Sequence, residues 1–529
     1  MHGDSSNYRG IAQFRKKRRV LTMKKPTIET QVAIVGGGIT GAALARELSK
    51  YQIDVCLIEK EASCGFGITK TCQGLLHGGI AHLTSRTVKY HQDIPFKEHL
   101  LRPFNLKEKM QNVGREEYFA LAHIFGEEIS QPGRLILAEN SEDMDMIELI
   151  KGVADDLKIR GITLLDRKGV EDLEPSVHPK FIGGLFDRNE SVILPMAWAM
   201  SFADSAELNG VHIYKETEVK RIDEKSDYYV IMTNKGSFNA PYVVNAAGFF
   251  ADDVAKMIGA CDFEVSGWKA QMLVLENRDN IHHVLTATPR PQGGRMLIPT
   301  THQSIVVAHT FDPMTHKGDW STTREGIKNL MTWPAALVPS ISEKQIVSSF
   351  SGFLTFNTKN PNDHLLEVPK RGFVTAAVSA PGMGPAPAIA REVVRMLEAE
   401  GLKLTTRSDF NPYRKKAPRI IDLPEWEKNA RIKAEPGYGH MVCRCEKVSE
   451  QEIREAVRAG AGTLDEIKFR TLAGFGRCQG GFCTSRVIRI MAEELKISPL
   501  EVTKKGKGSY MLARETKPFW EEGERRAAP

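Results

Sequence analysis

"TQVAIVGGGITGAALARELSKYQIDVCLIEKE" occupies residues 30–61. Its opening run, "QVAIV", is short, apolar and β-branched, the pattern of a buried strand. Gly36, Gly38 and Gly41 then make G-x-G-x-x-G. The first glycine allows a tight turn, the second lets backbone amides approach a pyrophosphate, and the third lets the next helix lie close to the strand. That helix, "ITGAALARELSK", aims its free amides and positive dipole end at the phosphate. A second strand, "DVCLIEK", ends in Glu59, placed to accept hydrogen bonds from ribose hydroxyls. Strand, glycine turn, helix, strand and acid in this order predict a dinucleotide site, and the acid disfavours a 2′-phosphate and hence NADP.

Outward from this stretch, 529 residues exceed one modest core, so two or three domains are expected. No apolar run reaches the roughly 18 residues needed to cross a bilayer. The net charge of +6 is unevenly placed: residues 1–22 hold Arg9 and "RKKRR" (15–19) against Asp4, which leaves +1 for the chain from Met23 onward. Residues 1–27 read as a basic, disordered leader, or as sequence ahead of a start at Met23, and nothing else in the chain points to nucleic acid. No apolar segment follows the arginines, which argues against a secretory or twin-arginine signal. Cys56, Cys64, Cys72 and Cys261 are scattered and suggest no disulfide framework, so a reducing cytoplasm is expected.

Three further stretches bear on the cofactor. "GITKTCQGLLHGGIAH" (67–82) is glycine-rich and without helix or strand period, suited to running along an extended ligand. "APYVVNAAGFFADDVAKMIG" (240–259) is a strand that ends in a small-residue turn and opens a helix. "AVSAPGMGPAPAIAREVVRML" (377–397) again feeds a glycine- and proline-rich turn into a helix.

The remaining cysteines crowd one region. Cys443 and Cys445 flank one residue, Cys478 and Cys483 flank four, and residues 446–477 lie between the pairs. Four thiolates brought together bind zinc or an iron–sulfur cluster, and C-x-C is tighter than the usual zinc spacing. Ser449 and Thr463 each stand three residues before a glutamate, predicting capping boxes on two short helices. A third helix, "TSRVIRIMAEELK", begins after Cys483, and its N-terminus favours thiolate charge. Gly476, Gly480 and Gly481 let backbone amides approach the sulfurs.

The nucleotide stretch with its downstream recurrences resembles the FAD-dependent oxidoreductases of the D-amino-acid oxidase and glycerol-3-phosphate dehydrogenase superfamily. The resemblance implies an α/β fold: a discontinuous Rossmann-like FAD-binding domain, assembled from about 28–85, parts of 150–260, and 365–400, with an inserted mixed β-sheet substrate domain. It places FAD on Gly36, Gly38, Gly41, Glu59, Lys60, Thr69, Lys70, Gly74, Leu75, Val219, Ala247, Gly248, Gly382, Met383 and Gly384. "YGHMVCRCEKVSEQEI" and "TLDEIKFRTLAGFGRCQGGFC" resemble the bacterioferritin-associated-ferredoxin type of [2Fe-2S] domain, which implies a small helical module at 441–497 ligating its cluster through Cys443, Cys445, Cys478 and Cys483. Residues 28–400 are then the oxidoreductase, 401–440 a linker wrapping back over the core, and 498–529 a tail.

FAD followed by such a cluster is similar to the anaerobic glycerol-3-phosphate dehydrogenase family. The resemblance implies oxidation of a small hydroxyl substrate, with electrons leaving through the cluster to an acceptor other than oxygen. It makes His77 the leading base, and Arg295 and Lys269, with Arg290, His302 and His309 nearby, the anion clamp. Two departures stand out: Leu354 occupies the place of the family's substrate-binding arginine, and Cys72 and Gln73 replace the usual asparagine and serine. Either Lys359 or Arg295 replaces the lost cation, or the substrate differs. Alternatives are a dehydrogenase of a 2-hydroxy acid such as L-2-hydroxyglutarate or of an amino or imino acid, and a non-catalytic flavin/iron–sulfur electron-transfer subunit. An electron-acceptor protein or partner subunit is expected, with nucleic acid excluded and peripheral membrane association through a partner left open.

Overall fold

The computed structural model describes residues 26–88, 96–288, 295–414, 416 and 418–515. The "RKKRR" run, Arg290 and residues 516–529 of the tail lie outside them.

The run "VAIV" becomes the strand Val32–Val35, buried at every position. It pairs in parallel with Val55–Ile58 on one side and Tyr242–Asn245 on the other. The full sheet runs Leu365–Lys370, Phe373–Ala377, Tyr242–Asn245, Val32–Val35, Val55–Ile58, His212–Tyr214. Neighbours in space thus come from distant parts of the chain, as a discontinuous Rossmann-like domain requires. One face is covered by the helices Ile39–Leu48, Pro195–Leu208 and Ala386–Ala399. Pro195–Leu208 is apolar almost all round because it is enclosed on nearly every side. Ile222, Tyr229, Ile231 and Phe238 of a smaller four-stranded sheet cover the other face.

The inserted domain is a mixed sheet of nine strands. Its longest pair, Val265–Glu276 with Ile346–Asn357, is an antiparallel ribbon whose register sets Trp268 against Leu354 and Lys269 against Phe353. Side chains alternate along a strand, so Leu354 and Lys269 lie on opposite faces of this ribbon.

The C-terminal module packs Glu450–Arg458, Leu464–Thr471 and Thr484–Leu495 around Val442, Val448, Ile453 and Met491. Ser449 and Glu452 form the expected capping box. At Thr463 only half of the box forms, because Glu466 turns its carboxylate to the Gly462 amide at 2.8 Å. The module also runs past 497, where the tail was expected to begin: Val502 is 1% exposed in this core, and the Lys504 amide donates to the Ser509 carbonyl. The stretch 401–440 does wrap the core, but not as a plain linker. Arg407 donates its amide to the Lys50 carbonyl, Arg414 reaches Glu127 and Asp204, and Glu425–Ala434 is a helix.

The module is docked by a bidentate Arg470–Asp204 pair at 2.7 Å and by Phe469, which contacts both Phe66 and Phe475. Among the described residues no helix is long and apolar enough to cross a membrane.

Candidate functional site

At the glycine turn three glycines act differently. Gly36 has φ +105°, and a Cβ there would lie 2.5 Å from the Ala246 carbonyl oxygen. A Cβ on Gly41 would lie 1.9 Å from the Gly36 oxygen. Before Gly38 there is open space, since a Cβ would meet only the Thr69 hydroxyl at 3.7 Å. Gly38 is also the N-cap of Ile39–Leu48 and has no side chain to satisfy the helix amides. Thr69 takes one of them, the Ile39 N–H, at 3.1 Å. This is a phosphate cradle that a side chain would fill. Glu59 accepts from the Gly37 and Glu61 amides at 2.6 and 2.7 Å, so it braces the turn. Burial raises its carboxyl pKa despite those two donors.

The other residues expected to hold FAD lie on separate stretches of the chain. Gly74 exchanges backbone contacts with Ile193, and Leu75 pairs with Val192. Ala247 and Gly248 form the turn after Tyr242–Asn245, and nothing stands within 4 Å of a Cβ on Gly248. Val219 sits at a bulge at the start of its strand. Met383 accepts from the Tyr118 hydroxyl at 2.9 Å, while Gly382 and Gly384 shape the turn before Ala386–Ala399. Lys70 is half-buried near Phe66, and burial lowers its pKa. Lys60 stacks on Phe250, its Nζ 3.4 Å from the ring centre.

Four buried polar atoms lack any protein partner here: Gln73 Oε1, Gln111 Oε1, Ser351 Oγ and His364 Nε2. Three of them, Gln73, Gln111 and Ser351, sit on elements that meet at the 71–79 loop. The Gln111 amide donates to the His77 carbonyl, Gly352 abuts Thr71, and His364 accepts from the Ser379 amide. Buried polar groups demand partners, and a flavin ring edge supplies both donors and acceptors. The residues present fit FAD.

His77 is held by residues that no motif revealed. Its Nδ1 lies 3.0 Å from Glu190 Oε1 and 3.1 Å from Arg134 Nη2, and Arg134 also pairs with Glu190. Glu190 is fully buried. Burial pushes its carboxyl up, but Arg134 and His77 together outweigh that and hold it below the ordinary value. Arg134 opens the strand Arg134–Ala138 and Glu190 precedes Ser191–Val192, so sheet pairing alone brings them to His77.

The expected anion clamp is dispersed. Lys269 is buried and paired with Asp319 at 2.7 Å and Ser321 at 3.0 Å, on the ribbon face away from Leu354. Lys359 pairs with Asp262 and Glu367, both at 2.7 Å. His302 packs against Phe475 of the C-terminal module, and His309 against Phe311. Arg295 is exposed at the start of Met296–Pro299. Leu354 joins an apolar cluster with Leu75, Met272 and Phe350.

The four cysteines fall into two pairs. Cys445 and Cys478 hold their sulfurs 3.7 Å apart, and Cys443 is hydrogen-bonded to Cys483. Two thiolates on one tetrahedral metal at about 2.3 Å lie about 3.8 Å apart. Among the described residues no three His, Cys, Asp or Glu side chains converge as a single-metal site needs. Two pairs suit two irons better than one zinc ion. The hydrogen bond from Cys483, with amides of Gly474, Glu446 and Cys445, pulls the Cys443 thiol down to about 5, and Cys483 is pushed up in return.

Residues 31–396 match the family described as FAD dependent oxidoreductase, and residues 441–493 match the BFD-like [2Fe-2S] binding domain. The chain belongs to the FAD-dependent oxidoreductase family. It is 31% identical over 494 residues to the glycerol 3-phosphate dehydrogenase of Caloramator mitchellensis, covering 92% of this chain and 98% of that protein. It is 23% identical to one subunit of the anaerobic glycerol-3-phosphate dehydrogenase of Haemophilus influenzae, covering 88% of this chain and 85% of that one. Among solved structures, the FAD-bound L-alpha-glycerophosphate oxidase of Mycoplasma pneumoniae superposes with a TM-score of 0.64 at 26% identity, covering 73% of this chain and 98% of that one. This family member is a flavoprotein dehydrogenase that carries FAD and a [2Fe-2S] cluster.

Proposed function

We propose that the protein oxidises glycerol 3-phosphate, with His77 as the base, and passes the electrons through its C-terminal module to a separate acceptor protein. The observation that carries the chemistry is the His77–Glu190 contact. Arginine has no lone pair to offer, and Glu190 is held ionised. An Nδ1–H donated to Glu190 satisfies the carboxylate and leaves Nε2 with a lone pair for a substrate hydroxyl proton. FAD, when bound, accepts the hydride from the adjacent carbon.

The choice of substrate rests on the relatives and has one obstacle. With Leu354 in an apolar cluster, a phosphate needs another cation. Arg295 adjoins Met296, which packs on that same cluster, and is the residue we assign. The Leu354 cluster also supports a second reading, a re-specified pocket for L-2-hydroxyglutarate or an imino acid.

Anaerobic addition of glycerol 3-phosphate, L-2-hydroxyglutarate, L-lactate and L-proline in turn, with the flavin spectrum as readout, separates the two. Bleaching by glycerol 3-phosphate, with a raised KM in Arg295→Ala, is expected. Bleaching by another compound alone selects the second reading. No bleaching by any small donor leaves the chain an electron carrier.

A further inference from the structure

The two cysteine pairs differ in exposure. Cys443 and Cys483 are 1% and 2% exposed, whereas Cys445 and Cys478 are open to solvent. One end of the cluster site therefore faces the core and the other faces outward. At the outward end stands Phe482, 41% exposed, whose backbone amide donates to the Cys478 sulfur. Arg444 and Arg486 both lie against its ring, their guanidinium carbons 4.5 and 4.8 Å from the centre. Stretches 444–447 and 476–489 carry five cations, Arg444, Lys447, Arg477, Arg486 and Arg489, against one carboxylate, Glu446. Arg477 is tied to Glu276, and Arg489 has only a distant contact with Glu493 at 3.9 Å. Two ferric ions, two sulfides and four thiolates carry a net charge of about −2. The rim outweighs that charge and remains positive.

A solvent-exposed phenylalanine between two arginines has no role in the module's own core, whose apolar residues lie elsewhere. Aromatic and arginine side chains are the types enriched at protein interfaces, and cationic rims speed the encounter with anionic partners. We propose that Arg444, Phe482 and Arg486, beside Cys445 and Cys478, form the docking surface for an acidic one-electron acceptor protein. This rests on the dehydrogenase reading above. Each substrate oxidised releases two electrons, so two acceptor molecules are each reduced by one electron, and the hydroxyl and C–H protons are released to solvent. The contact is small and short-lived, as suits electron-transfer pairs, which bury less than about 1,200 Å².

The test uses the full chain with both cofactors, acidic cytochrome b5 as probe and basic cytochrome c as control. Binding is measured by titration at low and high salt, and reoxidation of the dithionite-reduced protein by stopped flow. Neither assay needs the substrate, so failure of the substrate reading does not touch them. The wild type is expected to bind cytochrome b5 with an affinity that falls as salt rises. Arg486→Glu, on an exposed helix position, should weaken that binding about tenfold and slow reoxidation alike. Phe482→Ser should weaken binding with the salt slope unchanged. Retained cluster absorbance in each variant certifies folding, and Arg444→Glu serves if Arg486→Glu loses it. Absence of salt-dependent binding in the wild type, tighter binding of cytochrome c, or Arg486→Glu and Arg444→Glu without effect would each overturn the proposal.

Discussion

Two glycine-rich loops, one near each end of the chain, serve two cofactors, and they are built in opposite ways. In the N-terminal turn the space beside Gly36 and Gly41 is taken by backbone, the Ala246 carbonyl and the Gly36 carbonyl itself. The glycines there hold the sheet, the helix and a distant strand together, and only the front of Gly38 is open. In the cysteine loop Gly474 and Gly480 turn the chain with φ of +90° and +85°, and two of the four thiols remain exposed. A buried nucleotide site is thus inseparable from the fold around it, while the cysteine site is a loop on a small core of its own.

The sharpest way to break this comparison is Gly41→Val. The side chain has no room against the Gly36 oxygen, so the variant should lose more than ~4 kcal/mol and yield little folded protein. Gly38→Val meets nothing but Thr69 and should fold, yet emerge without FAD. Full flavin content in that variant would refute the cradle. Cys478→Ser comes next: being exposed, it should abolish the cluster's visible absorbance while the flavin still bleaches with substrate and the melting temperature barely moves. Cys443→Ser strikes one of the two buried members of the set and should lower the module's melting temperature as well. Loss of substrate bleaching in Cys478→Ser would show that the module does more than export electrons.

The two regions were also legible in the sequence, and for the same reason. Both are contiguous: the glycine turn lies within 32 residues and the cysteine loop within 41, so periodicity and spacing expose them directly. The six-stranded sheet was harder to read, because its strands join residues near 32, 55, 212, 242, 365 and 373. Glu190 and Arg134 carried no signal at all. Each is an ordinary charge in an ordinary strand margin, and only the pairing of Arg134–Ala138 with Gly183–Asp187, and of Leu75–Leu76 with Ser191–Val192, carries them to His77. Lys269 misled in the reverse direction. As a cation before a β-rich run it looked available, but strand alternation turns it from Leu354 toward Asp319.

Glu190→Gln sharpens the contrast between residues found by motif and residues found by fold. The amide keeps an oxygen that can accept from Nδ1–H but removes the negative charge beside His77, and it leaves Arg134 buried without its counter-charge. A loss of about 10- to 100-fold in kcat is expected, with KM for the hydroxyl substrate little changed. An unchanged kcat with a merely lower melting temperature would reduce Glu190 to a structural brace.

The smallest effect is at the junction of the two regions. His302, against Phe475, has a buried Nδ1 with no partner. Burial first, then Arg419 and Lys468, push its pKa down to about 4. In an unfolded chain histidine titrates near 6.5. Between those values the unfolded chain binds the proton that the folded one refuses, so stability falls as pH drops from about 6.5 toward about 4. His82 and His364, pushed down by burial to about 4 and about 3, act in the same direction near the flavin loop. His302→Phe keeps a ring against Phe475 but removes the titration. Melting followed through cluster absorbance should then lose part of its pH dependence over this window, whereas melting followed through flavin fluorescence should keep the slope that His82 and His364 supply. Equal flattening of both curves would mean that the two regions unfold as one unit and that the interface carries no separate acid sensitivity.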